Sequence, residues 1–270
     1  MAFARSDARG AIVAPLSPGA FRLAAYDFAA PRLYVDAPLV LGQRHALDRA
    51  QANYLLNVLR LGPGADVLVF NGRDGEWRTQ IQPEGRKSAS LLVLEQTRPQ
   101  TPPPDLAWLF APLKHARLDY MAQKAVEMGA GSLRPVLTRR TQSGRVNLDR
   151  MRANVVEAAE QCGIIALPAV HEEAKLDAAL DALEPERVLV FCDEDAPVAD
   201  PLAALAAAPQ GPLAVLIGPE GGFDPAERET LLARDRIVRL SLGPRILRAD
   251  TAAVAALALV QAARGDWGRS

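Results

Sequence analysis

Leu216-Ile217-Gly218-Pro219-Glu220-Gly221-Gly222-Phe223-Asp224-Pro225 leaves one apolar run and opens a helix. The run before it, 213–217, is continuously apolar, as a strand buried on both faces of a parallel sheet must be. A second loop of the same kind, Leu240-Ser241-Leu242-Gly243-Pro244-Arg245-Ile246-Leu247-Arg248-Ala249-Asp250-Thr251, follows the next strand, 237–242, and opens another helix. In open α/β sheets ligands bind beyond the carboxyl ends of the strands, so both loops lie where a ligand would sit. Gly218, Gly221, Gly222 and Gly243 have no side chain to hold a ligand away, and they tolerate strained backbone. Backbone N–H and C=O groups can then reach a ring or a sugar directly. Neither loop contains the Gly-Lys-Ser/Thr of a phosphate-cradling loop. Nor does either stand where a dinucleotide fingerprint belongs, at the first strand with an acidic residue about 20 positions on.

Outward from these loops the pattern repeats. Apolar runs at 106–111, 133–137 and 188–192 alternate with amphipathic stretches. One carries Leu118, Met121, Ala122 and Ala125 on a single stripe and stops at Gly129. Another carries Leu148, Met151, Val155, Ala159 and Cys162, with Asn147 placed to cap its start. Such alternation predicts an α/β domain with a parallel sheet covered on both faces. The last helix, 251–263, is apolar almost all round, which requires burial either in its own subunit or against a second copy.

Arg98-Pro99-Gln100-Thr101-Pro102-Pro103-Pro104-Asp105 forbids both helix and sheet ladder and marks the boundary. The chain accordingly divides into an extension at 1–30, a domain at 31–98, a Pro-rich linker at 99–105 and an α/β domain at 106–270. The first domain reads as a small β-barrel with one helix. Arg32-Leu33-Tyr34-Val35-Asp36 alternates, and 66–70 turns through Asn71-Gly72-Arg73-Asp74-Gly75 into 76–81. Pro83-Glu84-Gly85 makes another turn before 88–95. Leu47, Ala50, Tyr54, Leu55, Val58 and Leu59 fall on one helical face, closed by Gly62-Pro63-Gly64.

Composition narrows the class. The chain has 270 residues, 49% hydrophobic, and a net charge of −1, so no global basic field announces a nucleic-acid partner. Lysine occurs only at Lys87, Lys114, Lys124 and Lys175, leaving arginines to supply most of the basic side chains. Their planar forks suit phosphates and base edges. Cys162 and Cys192 imply two buried thiols in a reducing cytosol, and the scattered His45, His115 and His171 give no metal-ligand spacing. No apolar run approaches membrane-helix length, and residues 1–30 lack a signal-peptide core. The expected location is cytoplasmic, with no metal and no membrane.

The two glycine loops resemble those of the bacterial 16S ribosomal RNA uridine-N3 methyltransferases, of the SPOUT superfamily. The resemblance includes Pro31-Arg32-Leu33-Tyr34-Val35, Asn57-Val58-Leu59-Arg60-Leu61 and Lys124-Ala125-Val126-Glu127-Met128-Gly129. It also takes in Glu157-Ala158-Ala159-Glu160-Gln161-Cys162-Gly163 with Pro168, and so spans about 31–263. It implies a PUA-like N-terminal barrel, a C-terminal α/β domain with a deep trefoil knot, a homodimer, and S-adenosylmethionine held by the knot. The cofactor contacts it implies are Ile217, Gly218, Glu220, Gly221 and Gly222, then Leu240, Leu242, Gly243, Ile246 and Leu247. The substrate it implies is 16S rRNA within the 30S subunit.

Uridine N3 carries a proton at neutral pH, so methylation needs its anion generated or stabilised. With no His in either loop, Arg248 is the candidate to stabilise that anion, and Asp250 to accept the proton or orient Arg248. Asp250 is alternatively the N-cap ahead of Thr251. RNA contacts are expected from local arginines and a lysine: Arg32 and Arg60 in the barrel, Lys114 at a helix start, Arg139 and Arg140 beside the Thr141-Gln142-Ser143-Gly144 loop, and Arg245. Three positions depart from the family pattern. Asp250 stands where Glu is usual, Ile164 where Arg is usual, and Asn53-Tyr54 near a missing His. Two other readings use the same residues: a superfamily relative that methylates a ribose 2′-hydroxyl or another base, and a non-catalytic RNA-binding assembly factor.

Overall fold

The computed structural model describes residues 30–267, apart from 86–87, 143–144 and 198–199. Nearly all of the N-terminal extension, and the Ser143-Gly144 part of the loop singled out above, lie outside the described residues.

Strands β1 (Arg32–Tyr34), β2 (Arg44–Ala46), β3 (Asp66–Phe70), β4 (Glu76–Pro83) and β5 (Ala89–Arg98) form one five-stranded sheet in the order β1-β3-β4-β5-β2. The expected hairpin is β3–β4, with Phe70 opposite Glu76. Val67, Val69 and Ile81 of the hairpin, with Leu91 and Val93 of β5, bury against Leu33 and Leu55. The expected helix is short. α1 (Arg49–Asn53) passes into a π-helical turn at Tyr54–Val58, where Leu59 N–H donates to Tyr54 C=O five residues back. The wider turn rotates the chain off the expected stripe. Ala50 and Val58 are therefore exposed, and Ala52 is buried in their stead.

The second sheet has seven strands: β6 (Leu106–Phe110), β7 (Ser132–Leu137), β8 (Ala169–Val170), β9 (Ala174–Lys175), β10 (Val188–Cys192), β11 (Leu213–Ile217) and β12 (Ile237–Leu240). Its main path is β12-β10-β11-β6-β7-β8, with β9 on β7, and every pair is parallel. Helices α2 (His115–Glu127), α3 (Leu148–Cys162), α5 (Pro201–Ala207) and α7 (Ala249–Arg264) cover one face. The other face carries α4 (Leu176–Asp181) and α6 (Pro225–Leu232). Alternation along β6 makes both cores: Leu106, Trp108 and Phe110 point to the first, Ala107 and Leu109 to the second. α7 buries Ala253, Ala256, Leu257 and Val260 within its own subunit, while Val254, Ala255, Ala258 and Leu259 stay half-buried and Ala262 is exposed. Cys162 is exposed in the last turn of α3, correcting the expectation that both thiols are buried. Among the described residues no helix is long and apolar enough to cross a membrane.

The Pro-rich segment between β5 and β6 passes close to the α2–β7 turn. A Cβ on Gly131 would stand 1.7 Å from the Pro104 carbonyl oxygen. Backbone cannot yield as a side-chain tip can, so Gly131→Ala is expected to destabilise the protein by about 1–3 kcal/mol. Thermal melting should then fall several degrees, and an unchanged Tm would show that the linker is free to move away.

The two sheets meet through charge as well as packing. Glu76, 1% exposed, accepts from Arg32 Nε at 3.0 Å and Arg98 Nη2 at 2.6 Å, and Arg98 also donates to Gly163 C=O at 2.9 Å, at the end of α3. Tyr34 N–H donates to Glu160 of α3 at 2.7 Å, and Phe70 packs on Ala159 and Ile165. Burial alone would raise the Glu76 carboxyl, but hydrogen bonds and charge from Arg98, Thr97 and Arg32 prevail and hold its pKa below the usual carboxylate value. Glu160 has only that backbone N–H against its burial, and its pKa is raised.

Candidate active site

Three adjacent parallel strands, β12, β10 and β11, end at one edge of the sheet, and the chain leaves each by a loop. After β11 the Gly218–Asp224 loop is shaped by Phe223. Its ring covers Gly218 so closely that a Cβ there would come within 2.5 Å of it, and it meets Phe191 of β10 edge-on at 5.3 Å. Gly222, at φ +68°, closes the turn by donating to Pro219 C=O at 2.9 Å. Asp224 and Glu227 then form a reciprocal capping box on α6, with Pro225 in its first turn.

Arg139 and Arg140 reach this loop from the end of β7. Arg140 donates to Gly221 C=O at 2.8 Å, and Arg139 pairs with Asp224 at 2.7 Å while its N–H donates to Glu227 at 2.7 Å. Arg139 remains largely exposed, so its position beside the loop leaves it accessible to a polyanion. A cavity of about 490 Å³ opens on the far side of Arg139, lined by Thr138, Lys175, Glu227 and Thr230 among others. It lies outside the space between the two glycine loops.

The 241–248 loop after β12 is open. Gly243, at φ +97°, has nothing within 4 Å of the place a Cβ would take, Ile246 is 95% exposed, and Leu242 and Leu247 are half-buried. Ile217 and Leu240 are buried at the strand ends beneath the loops. The expected contacts to a bound cofactor are thus brought to one edge. They offer backbone, small residues and the exposed Ile246 side chain, a surface suited to a ligand that is part apolar and part hydrogen-bonding.

Arg248 is the N-cap of α7 and makes no capping bond through its side chain. Its guanidinium is exposed, with no partner among the described residues. Asp250 lies in the first turn rather than at the cap, which removes the N-cap alternative, and its Oδ1 accepts from Thr251 N–H at 2.9 Å. Its counter-ion is Arg117 of α2 at 3.7 Å, and Arg117 also pairs with Glu220. Asp250 is therefore linked to the first glycine loop and not to Arg248.

The other basic residues separate by exposure. Lys114 is exposed at the N-cap of α2, Arg245 is exposed in the second loop, and Arg60 is exposed on the barrel at φ +56°. Arg32 corrects an expectation: its side chain is 5% exposed and held on Glu76 within the barrel sheet, beside the junction with α3, rather than offered to RNA. Ile164, in place of the usual Arg, packs partly buried at that same junction. Sequence reasoning missed the bridging role of Arg117, although its place three residues after Lys114 put it on the first turn of α2. It also missed Asp193 after β10, which no spacing distinguished from its acidic neighbours.

Comparison with known proteins bears on the same residues. Residues 100–261 match the model of an RNA methyltransferase domain, more than half of the chain, and residues 47–94 match an RNA methyltransferase PUA domain. The chain is 31% identical over 238 residues to ribosomal RNA small subunit methyltransferase E of Synechocystis, covering 86% of this chain and 77% of that protein. It is 28% identical over 232 residues to the protein so named in Rickettsia conorii, covering 85% and 94%. The crystal structure of ribosomal RNA small subunit methyltransferase E from Neisseria gonorrhoeae bound to S-adenosyl methionine superposes with a TM-score of 0.78 at 28% identity, covering 88% of this chain and 99% of that one. With a PUA-type sheet, a parallel α/β sheet and two glycine loops at its carboxyl edge, this chain belongs to the RNA methyltransferase family of ribosomal RNA small subunit methyltransferase E.

Proposed function

We propose that the protein methylates N3 of a specific uridine in 16S rRNA on the assembled 30S subunit, with S-adenosylmethionine as donor. Gly218, Glu220, Gly221 and Gly222 would hold the cofactor on one side, and Leu240, Leu242, Gly243, Ile246 and Leu247 on the other, with Ile217 beneath. Bound there, S-adenosylmethionine supplies an electrophilic methyl group. The observation that carries the reading is the free guanidinium of Arg248 at the mouth of the second loop.

Transfer to N3 requires negative charge to develop on the uracil. Arg248 stabilises that charge, and its seat at the N-terminus of α7 adds the positive end of the helix dipole. Asp250, two residues on and held by Arg117, is the proton acceptor nearest to Arg248 in the chain. Lys114, Arg139, Arg140 and Arg245 surround the same edge, and Arg60 extends the RNA path onto the barrel. We also propose that two copies pair through the half-buried apolar face of α7, that the α/β domain carries the superfamily's deep trefoil knot, and that the protein acts in the cytoplasm.

The test uses labelled S-adenosylmethionine with either 30S subunits or naked rRNA from a strain lacking this enzyme, followed by nucleoside mass spectrometry. The expected product is 3-methyluridine, formed faster on 30S than on naked RNA. Label in a different nucleoside, or on a ribose, would overturn the assignment of N3 while leaving the methyltransferase.

A further inference from the structure

The third loop at the site edge follows β10. Asp193 begins it, with a side chain only 3% exposed. Its Oδ2 accepts from Arg239 Nε of β12 at 2.7 Å and from Arg228 Nη2 of α6 at 3.0 Å. Its Oδ1 accepts from Asp195 N–H at 3.1 Å, and its own N–H donates to Leu240 C=O at 3.0 Å. Arg239 closes the set by donating to Asp195 C=O at 2.5 Å. One carboxylate thus ties the end of β12, where the second glycine loop starts, to the helix that the first glycine loop enters. The turn also abuts the first loop directly, since a Cβ on Gly222 would lie 3.9 Å from Glu194 Oε1.

A buried ion pair is a poor device for stability, because well-packed apolar residues often serve as well or better. This one additionally leaves Arg228 Nε buried without a hydrogen-bond partner. What it gives is direction: a carboxylate forked between two guanidiniums fixes the elements that carry them. Binding between two loops is tighter when the loops are held apart at the right spacing beforehand, because less ordering remains to be done on association.

We propose that Asp193, through Arg228 and Arg239, is a positioning residue that presets the gap between the two glycine loops for S-adenosylmethionine. The inference rests on the assignment of those loops as the cofactor site. It predicts a split in kinetic effects. Asp193→Asn keeps an acceptor for Asp195 N–H but loses the charge that grips both arginines. Its dissociation constant for S-adenosylmethionine, measured by calorimetry without RNA, should rise about 10- to 100-fold. At saturating S-adenosylmethionine its kcat should stay within about threefold of the wild type, with KM for the RNA unmoved. Asp193→Glu, which restores the charge, should recover part of the affinity.

Arg150→Gln serves as the control, since it removes an exposed ion pair to Asp119 between α2 and α3 that includes no residue of either glycine loop or of the Asp193 fork. It should leave the affinity unchanged. If Asp193→Asn does not fold, Arg228→Gln removes one arm of the fork at a partly exposed position and is read in the same titration. Unchanged affinity in whichever folded variant is measured would overturn the proposal. So would an equal loss in Arg150→Gln, which would show a general loosening. A wild-type protein that fails to bind S-adenosylmethionine refutes the site assignment itself, an outcome distinct from loss in the variants alone.

Discussion

Arg248→Ala is expected to lower kcat about 10²- to 10³-fold while the affinity for S-adenosylmethionine stays at the wild-type level. The side chain is exposed at the start of α7 with no partner among the described residues, so its removal leaves no buried group unsatisfied and should not move Tm. Negative charge appears on the uracil only as N3 gives up its proton on the way to attacking the methyl group, so an interaction confined to that step appears in kcat and not in cofactor binding. Arg248→Lys retains the charge without the planar fork and should fall between. Single-turnover kinetics with calorimetric binding decide the matter. A parallel loss of cofactor affinity would move Arg248 from the chemistry to the cofactor pocket.

Glu76→Ala should destabilise the protein by about 3–5 kcal/mol, because it removes a buried carboxylate that Arg32 and Arg98 both grip. For a chain of this size that corresponds to a Tm lowered by roughly 10 °C. Acid should act on the same contact. The folded-state pKa of Glu76 lies below its ordinary value of 4.5, so its stabilisation is complete above that value and is lost as pH falls through the lowered one. Glu160 has the opposite sign: its raised pKa makes its contribution greatest when protonated, and that contribution declines as pH rises through the raised value. Chemical denaturation of wild type and Glu76→Gln between pH 3 and 6 separates the two, because only the wild type should show the acid-side loss assigned to Glu76. Identical pH profiles would remove that carboxylate as the cause.

Much of the α/β half was legible in the sequence because its strands are buried on both faces. Runs such as 188–192 and 213–217 coincide with β10 and β11, since a continuous apolar run flanked by turn residues has few other places to go. The glycine loops were legible for a related reason: Gly218 under the Phe223 ring and Gly222 at positive φ are positions that side chains cannot share. The barrel helix was misjudged because a π turn changes the period on which stripe counting depends. The edge strand β2, three residues with only His45 buried, carries too little pattern to be seen. At the site, proximity without periodicity stayed hidden. Nothing in the order of residues announces that Arg117 meets Asp250, or that Arg32 turns inward to Glu76 while Arg60 faces out.

The shared carboxylate at the junction of the two sheets has a metrical consequence. Arg32 and Arg98 close on Glu76 from the barrel, Arg98 extends the grip to the end of α3, and the Pro-rich segment runs hard against Gly131. The barrel is therefore clamped rather than tethered, and the span from Arg60 to Arg248 is set when the chain folds. A molecule so built works as a caliper. With Arg60 and Arg248 as the proposed RNA contacts, it would admit a nucleotide to the reacting edge only when a second stretch of RNA lay at the matching separation, which folded RNA offers and a loose strand does not.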